Sequence, residues 1–386
     1  MSGRPIRVLQ LVRIMNRAGV ETWLMHLLRH FDRREIAMDF LVQTSTPGAY
    51  DEEIRSRGAQ IIACHPPRQP VRYGLDFQNA LRRYGPYDVV HSHNYFGSGL
   101  DLPLAAHGEV EKRIAHIHPA SDIAAERPLR WFYRRTMARS IRRYATCMLA
   151  PSHASLEAIG AYGDFSGLPS GVVRNCVDLS AYRAPLDRAA ARRALGLPAD
   201  RPVVVYVARF VPHKNHGLLL QVADRLNGMG VPAHFAAAGT DGESRAAFQR
   251  ACAARRDFSV LVDPPDIAPL LACADLFLFP SLEEGFGAVA IEAAAAGLPV
   301  VATSLPAIRE ACAPSHREFM FAPNDGQAAA AAVRTILRDA ALAQRLASDA
   351  RNWADDFSIG AVAEQLAEIY RTGAPAPVGR EETAVQ

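Results

Sequence analysis

The sequence predicts an α/β protein built of two doubly wound parallel-sheet domains. Three observations carry the prediction. The chain has 386 residues, enough for two cores at ~100–200 residues per domain. Short β-rich runs alternate with helical stretches in both halves, and strand–helix–strand series with short connections require parallel sheets covered by helices on both faces. A linker-like segment near 183–201, with Ala184–Pro185 and Gly196-Leu197-Pro198, separates the two series.

In chain order, the first series reads as strands Ile6–Leu11, Met38–Val42, Gln60–Cys64, Asp88–His91 and Lys112–His118. Between them Val20–Phe31, Gly48–Arg57, Leu75–Tyr84 and Gly99–His107 space their apolar residues as helices do. After the linker come strand Val203–Ala208, helix Gly217–Asn227, strand Ala233–Ala238, helix Glu243–Ala254, strand Ser259–Leu261, helix Ile267–Cys273, strand Leu276–Phe279, helix Ala288–Ala296 and strand Val300–Thr303. The expected domains are 1–185 and 186–354, with an amphipathic helix over about 355–372 packing back on the first. The Pro-, Gly- and charge-rich tail 373–386 reads as disordered. Ligands of doubly wound sheets bind beyond the carboxyl ends of the strands, so two such domains place the expected site in the cleft between them.

Composition excludes other classes. Forty-nine percent hydrophobic and 22% charged residues is an ordinary globular balance. No apolar stretch reaches the ~20 residues of a membrane span, and Arg4, Arg7 and Arg13 interrupt any secretion-type leader. Cys64, Cys147, Cys176, Cys252, Cys273 and Cys312 form no CxxC pair and read as reduced, buried thiols of a cytoplasmic protein. The net charge of +3 divides unevenly: residues 1–190 carry 25 Lys and Arg against 18 Asp and Glu. The first half therefore faces an anionic partner, which charge alone does not identify.

The most informative stretch is Pro280-Ser281-Leu282-Glu283-Glu284-Gly285-Phe286-Gly287, which links a buried strand to an apolar helix. Free N–H groups at a helix start favour an anion or a cluster of hydroxyls. Glu284 and, eight residues on, Glu292 supply carboxylates that accept paired hydrogen bonds from the vicinal diols of a sugar. Arg209 and Lys214 follow another strand, where they can stabilise a diphosphate leaving group without a metal. No D-x-D triplet occurs to hold one. Gly19, at a helix start, lets backbone approach a phosphate closely.

These residues resemble the donor site of the retaining glycosyltransferases of family four, whose GT-B fold sets two Rossmann-like domains across a cleft. PSLEEGFG with EAAAAGLPVVA carries the resemblance most strongly. Val207–His216 is similar to the family's "GR…K" segment, with Arg209 and Lys214 at the diphosphate-holding positions. Val173–Asp178 looks like its "NGVD" turn, with Cys176 in place of glycine, and Asn16–Leu24 resembles its glycine loop. The chain also resembles the capsular and exopolysaccharide subgroup, through His91-Ser92-His93-Asn94 and His116-Ile117-His118. By resemblance His118 contacts the donor sugar, whereas His91 and His93 read as structural or as lining the acceptor side.

The resemblance implies a retaining hexosyltransferase using a UDP- or GDP-sugar and a glycan or lipid-linked acceptor, with no metal or other cofactor. Glu292 would hold the ribose, and Glu284 with Gly285, Phe286 and Gly287 would position the sugar. A GT-B epimerase and a non-catalytic nucleotide-sugar binder are the alternatives, and the His-x-His pairs keep a metal-dependent hydrolase in view. Lastly, Arg127–Met148 reads as one helix with Leu129, Tyr133, Met137, Ile141, Tyr144 and Met148 on a stripe among arginines. Such a surface suits anionic lipid at the inner face of a membrane; the alternative is a stripe packed on the core, with the arginines as a solvated face. No groove-reading or single-strand motif accompanies it, so nucleic acid is not expected.

Overall fold

The computed structural model describes residues 4–118 and 128–376. The chain divides into two compact units, Met1–Cys176 with Ile359–Gln386, and Val177–Ser358. The division falls ahead of the boundary expected at 185/186. Val177 lies in the second core, Leu179 and Tyr182 pack against it, and Arg183 pairs with Asp355 at 2.7 Å.

The first unit holds seven parallel strands: β1 (Ile6–Val12), β2 (Ile36–Val42), β3 (Ile61–Ala63), β4 (Val89–Ser92), β5 (Lys112–His116), β6 (Cys147–Ala150) and β7 (Ser170–Val172). Their order is β3-β2-β1-β4-β5-β6-β7. Helices cover both faces, so β1 alternates between two cores: Val8 and Val12 join one, Leu9 and Leu11 the other. Helices Gly19–His30 and Ile359–Thr372 bring Trp23, Leu24, Leu366 and Tyr370 to the first core. Helices Pro70–Tyr84, Ser98–His107 and Pro128–Tyr144 bring Phe77, Leu102 and Ile141 to the second. Lys112 Nζ caps the C-terminal helix, donating to the Tyr370 and Arg371 carbonyls at 3.0 and 2.9 Å.

Strands β6 and β7 are corrections to the sequence reading. A four-residue apolar strand directly after a helix shows no period of its own, so in the sequence Met148 falls on the helix stripe. The helix ends at Tyr144, and Met148 pairs with β5 and β7. The stripe itself also shifts. Arg134, Ala138 and Ile141 are the buried residues, while Leu129 (82%), Trp131 (42%), Phe132 (62%) and Tyr133 (45%) are exposed. Arg134 donates to Tyr162 Oη at 2.8 Å and stacks over the Tyr95, Phe96 and Tyr162 rings, so it anchors the helix instead of facing solvent. Arg127 lies outside the described residues.

The second unit holds β8 (Val203–Val207), β9 (His234–Gly239), β10 (Phe258–Val262), β11 (Leu276–Phe279) and β12 (Val300–Ala302), all parallel, in the order β10-β9-β8-β11-β12. All but the edge strand β10 are fully buried, as near-continuous Val, Ala and Phe runs require. In each sheet the strand order reverses once, between β1 and β4 and between β8 and β11. Loops leaving the carboxyl ends of those strands diverge and leave a crevice.

All six cysteines are free and buried. Among the described residues no helix is long and apolar enough to cross a membrane. Of the tail expected to be disordered, 377–386 lies outside the described residues, and Pro375 stands against Gly171.

Candidate functional site

The second unit's crevice is built from the loops after β8 and β11. Past Val207, the chain runs through Arg209 into the turn Pro212–Lys214, which Asn215 closes in the left-handed region at φ 53°. The Asn215 amide donates to the Pro280 carbonyl at 3.3 Å and to Asn324 Oδ1 at 3.2 Å. Leu282 N donates to the His213 carbonyl at 2.8 Å. The two loops are thus fastened to each other before any ligand arrives.

At their junction Lys214 Nζ meets Glu284 Oε1 at 2.5 Å, with the side chains 17% and 12% exposed. The same carboxylate oxygen accepts from Ser281 Oγ at 3.0 Å. Tyr206, fully buried in β8, places its hydroxyl 2.9 Å from Ser281 Oγ and 2.9 Å from the Lys214 carbonyl. A phenol in an otherwise aliphatic strand therefore sets the height of both charged residues. Arg209 is exposed, and its guanidinium makes no hydrogen bond or ion pair among the described residues. His213 lies between the cations and is held below the usual imidazole range, by burial first and then by the Lys214 charge.

Gly287 starts the helix Ala288–Ala295 at φ 88°, where a Cβ would stand 2.9 Å from Phe279 Cε1. Conformation and space both demand glycine there. Among the described residues no side chain caps that helix; Ala290 N donates to the Gly287 carbonyl at 2.8 Å, and the N–H groups of Ala288 and Val289 face the loop. Phe286 is 2% exposed with its ring 5.7 Å from Phe357; its side chain belongs to the core, and only its backbone serves the loop with Gly285. Glu292, half-buried farther along the helix, faces the Tyr182 hydroxyl, and burial raises its carboxyl to about 7. Lys214 and Glu284 are thus in contact, Arg209 lies five residues before Lys214 in the same loop, and Glu292 meets the Tyr182 hydroxyl. A separate cavity of about 1010 Å³ opens at the amino ends of these strands. Its Arg188 and Arg192 are both committed to Asp275.

In the first unit, Gly19 is exposed, and a Cβ there would meet nothing within 4 Å. Neither backbone nor packing requires this glycine. The histidines at the ends of β4 and β5 are gathered into one cluster. His91 Nε2 lies 3.1 Å from His116 Nδ1, and His93 Nδ1 lies 3.0 Å from His118 Nε2. His91, His93 and His116 are buried and His118 is half-buried. Ser92, on the opposite face of β4, donates to the buried Asp101 at 2.6 Å, which Tyr73 and Asn94 also hold. Strand alternation therefore divides His-Ser-His between two networks, as expected. Ligand atoms of His91, His93 and His116 lie within 4.8 Å of one another, close enough to share a metal ion.

Tyr206, Ser281 and Asn215 were missed from the sequence. Tyr206 alone carried a signal, as a polar atom in a run of valines. Gln10, buried in β1 at the heart of the histidine cluster, carried the same signal.

Comparison with known proteins locates both halves. The profile described as Glycosyltransferase Family 4 matches residues 17–181, and that described as Glycosyl transferases group 1 matches residues 187–353. EpsF of Bacillus subtilis (strain 168), a glycosyltransferase by name, is 32% identical over 314 residues, 78% of this chain and 80% of its own. The D-inositol 3-phosphate glycosyltransferase of Mycobacterium tuberculosis is 32% identical over 58% of this chain, which spans about half (49%) of that protein. Among solved structures, Anabaena HepE in complex with UDP and glucose superimposes with a TM-score of 0.79 at 20% identity, over 95% of this chain and all of that one. A sucrose-phosphate synthase from Thermosynechococcus elongatus does so with 0.77 at 20% identity, over 95% of this chain and 98% of its own.

Proposed function

Because the chain belongs to the family 4, group 1 glycosyltransferases and has their GT-B fold, we propose that it moves a hexose from a UDP- or GDP-sugar to a glycan or lipid-linked acceptor, retaining the anomeric configuration, in cell-surface polysaccharide assembly. The observation that carries this reading is the Lys214–Glu284 pair, held by Tyr206 and Ser281 at the β8/β11 crevice. In a nucleotide sugar the anomeric phosphate adjoins the sugar hydroxyls. A cation and a carboxylate in mutual contact match that junction, one for each side of it.

In the proposed reaction, the bond from the anomeric carbon to the diphosphate oxygen breaks as the acceptor oxygen forms its own bond on the same face. The departing phosphate oxygen takes the acceptor's proton. Arg209, exposed and without an ion pair among the described residues, and Lys214 stabilise the charge growing on the diphosphate. Glu284 accepts from sugar hydroxyls, the Gly285–Gly287 backbone donates to the sugar or phosphate, Glu292 holds the ribose, and Gly19 admits a phosphate to the backbone. His118 contacts the sugar. No metal is assigned a role. The UDP and glucose bound by HepE support a nucleotide-sugar donor, and the likeness to EpsF supports glycosyl transfer.

The exposed Leu129, Trp131, Phe132 and Tyr133, with Arg130, Arg135 and Arg139 on the same helix, support contact with an anionic membrane at its inner face. Aromatic and aliphatic tips enter the acyl boundary while guanidinium groups meet the headgroups.

The test is turnover of UDP- and GDP-hexoses by the full chain in chelator, with and without oligosaccharide acceptors, and product configuration read by NMR. Acceptor-dependent α-product from an α-donor is expected. Inverted product, loss of activity in chelator, or donor conversion without acceptor would overturn the corresponding part, the last in favour of an epimerase.

A further inference from the structure

We infer that Gln10 and His93 are positioning residues: through one directed chain of hydrogen bonds they fix the tautomer of His118 and leave its Nδ1 bare as an acceptor for a donor-sugar hydroxyl. The inference deepens the proposed function and rests on its placing His118 against the sugar.

The chain starts in the middle of β1. Gln10 is fully buried and sits opposite His91 in the β1–β4 register. Its Nε2 donates to Tyr370 Oη at 2.9 Å. A phenol has a single proton, so Tyr370 passes its own to His91 Nδ1 at 2.8 Å. His91, neutral, then carries hydrogen on Nε2 and donates to His116 Nδ1 at 3.1 Å, and the branch ends on His116 Nε2–H, buried and without a partner among the described residues. The other end of the same amide sets the second branch. Gln10 Oε1 can only accept, so His93 carries hydrogen on Nε2, 2.9 Å away, and has a bare Nδ1. That nitrogen accepts from His118 Nε2 at 3.0 Å, which leaves His118 Nδ1 without a proton.

Two conditions make this direction durable. Each imidazole must be neutral, and burial holds His91, His93 and His116 well below the usual range and His118 at about 3. Reversal must also be concerted. Turning the Gln10 amide inverts both branches at once, because one carbonyl and one NH₂ serve both. The Trp23 ring packs edge-on to His93, His116 and His118 at 5.8, 5.3 and 6.2 Å and keeps the cluster closed. His118 alone among the four is half-exposed, so its bare nitrogen is the one a ligand can reach.

The direction has a chemical consequence. Near neutral pH, His118 accepts a hydrogen bond from a hydroxyl and does not protonate a leaving group. A divalent ion on His91, His93 and His116 would take lone pairs that this chain spends on hydrogen bonds.

The experiment is long-range ¹H–¹⁵N correlation spectroscopy of the histidine-labelled full chain at pH 7.5, beside donor kinetics and elemental analysis. Wild type should show His118 as the Nε2–H tautomer. Gln10→Leu should mix the tautomers and lower kcat about tenfold, the worth of one hydrogen bond. Gln10→Glu keeps an acceptor toward His93, so it should retain the His118 tautomer and most activity, and it decides the matter should Gln10→Leu not fold. An Nδ1–H signal for His118 in wild type, an unaltered tautomer in Gln10→Leu, a lost one in Gln10→Glu, or a stoichiometric bound metal would each overturn the inference. The underlying reading fails separately: His118→Ala with full activity would remove the sugar contact, and the functional half of the inference with it, while the spectra of wild type would be unchanged.

Discussion

At the crevice of the second sheet a lysine and a carboxylate meet 2.5 Å apart, partly open to solvent. At the crevice of the first sheet four imidazoles, an amide and a phenol close on one another beneath Trp23. Both sets occupy the point where strand order reverses, and both depend on one polar residue in an apolar strand, Tyr206 in β8 and Gln10 in β1. The difference lies in charge. In the second unit a cation and a carboxylate are paired near the surface, and under the proposed function a ligand replaces each one's partner. Where the surroundings are dry, the groups stay neutral, and what is controlled is the direction of their hydrogen bonds.

The largest effect expected from breaking this contrast is on the charged side. Lys214→Ala and Glu284→Gln should each lower kcat about 10²–10³-fold, the usual worth of a group aimed at developing charge. Both variants should still fold, with midpoints lowered more in Lys214→Ala, because it leaves a largely buried carboxylate without its cation. Steady-state kinetics with thermal melts checks both. Retained activity in either variant would erase the distinction between the regions.

The pH dependence of stability should differ in sign. Glu292 titrates at about 7 in the fold, above the ~4.3 of an unfolded carboxyl. Its contribution is complete below about pH 4 and is lost as pH climbs through 7. Glu292→Gln should flatten the wild-type decline between pH 5 and 8 in denaturant melts. The cluster histidines lie below their unfolded value of ~6.5. Their contribution is complete above about pH 6.5 and is lost on acidification, and His93→Gln should soften that loss. Parallel wild-type and variant curves would deny one region its special environment.

A smaller effect sharpens the role of the strand residues. Tyr206→Phe removes a hydroxyl from Ser281 and the Lys214 carbonyl and should cost about 1 kcal/mol of stability. Turnover should fall by less than in Lys214→Ala, since the ion pair itself survives. The mildest expectation concerns the exposed helix. Trp131→Ala with Phe132→Ala should weaken binding to anionic phospholipid vesicles and leave turnover on a soluble acceptor unchanged.

The second region was far more legible in the sequence than the first. Its strands are uniform apolar runs, so Glu284 and Lys214 stood out at strand ends, and Gly287 marked the turn. The pairing of Lys214 with Glu284 and the support from Tyr206 needed the β8–β11 neighbourhood, which a linear reading does not provide. In the first unit, His91, His93, His116 and His118 were visible as pairs, but their partners Gln10 and Tyr370 lie at opposite ends of the chain. Only parallel register and the return of the helix Ile359–Thr372 bring them together. The strands Cys147–Ala150 and Ser170–Val172 were too short to show a period, and Met148 fell on the preceding helical one. Arg134 looked like its solvent-facing neighbours because cation–π anchoring leaves no mark in hydropathy.

The central claim is that Lys214 and Glu284 grip the two sides of one sugar–phosphate junction. Calorimetric titration of wild type, Lys214→Ala and Glu284→Gln, each with the bare nucleoside diphosphate and with the intact nucleotide sugar in chelator, tests it most directly. Lys214→Ala should weaken both ligands, and Glu284→Gln should weaken only the intact sugar nucleotide. Wild-type affinity of both variants for both ligands would contradict the account.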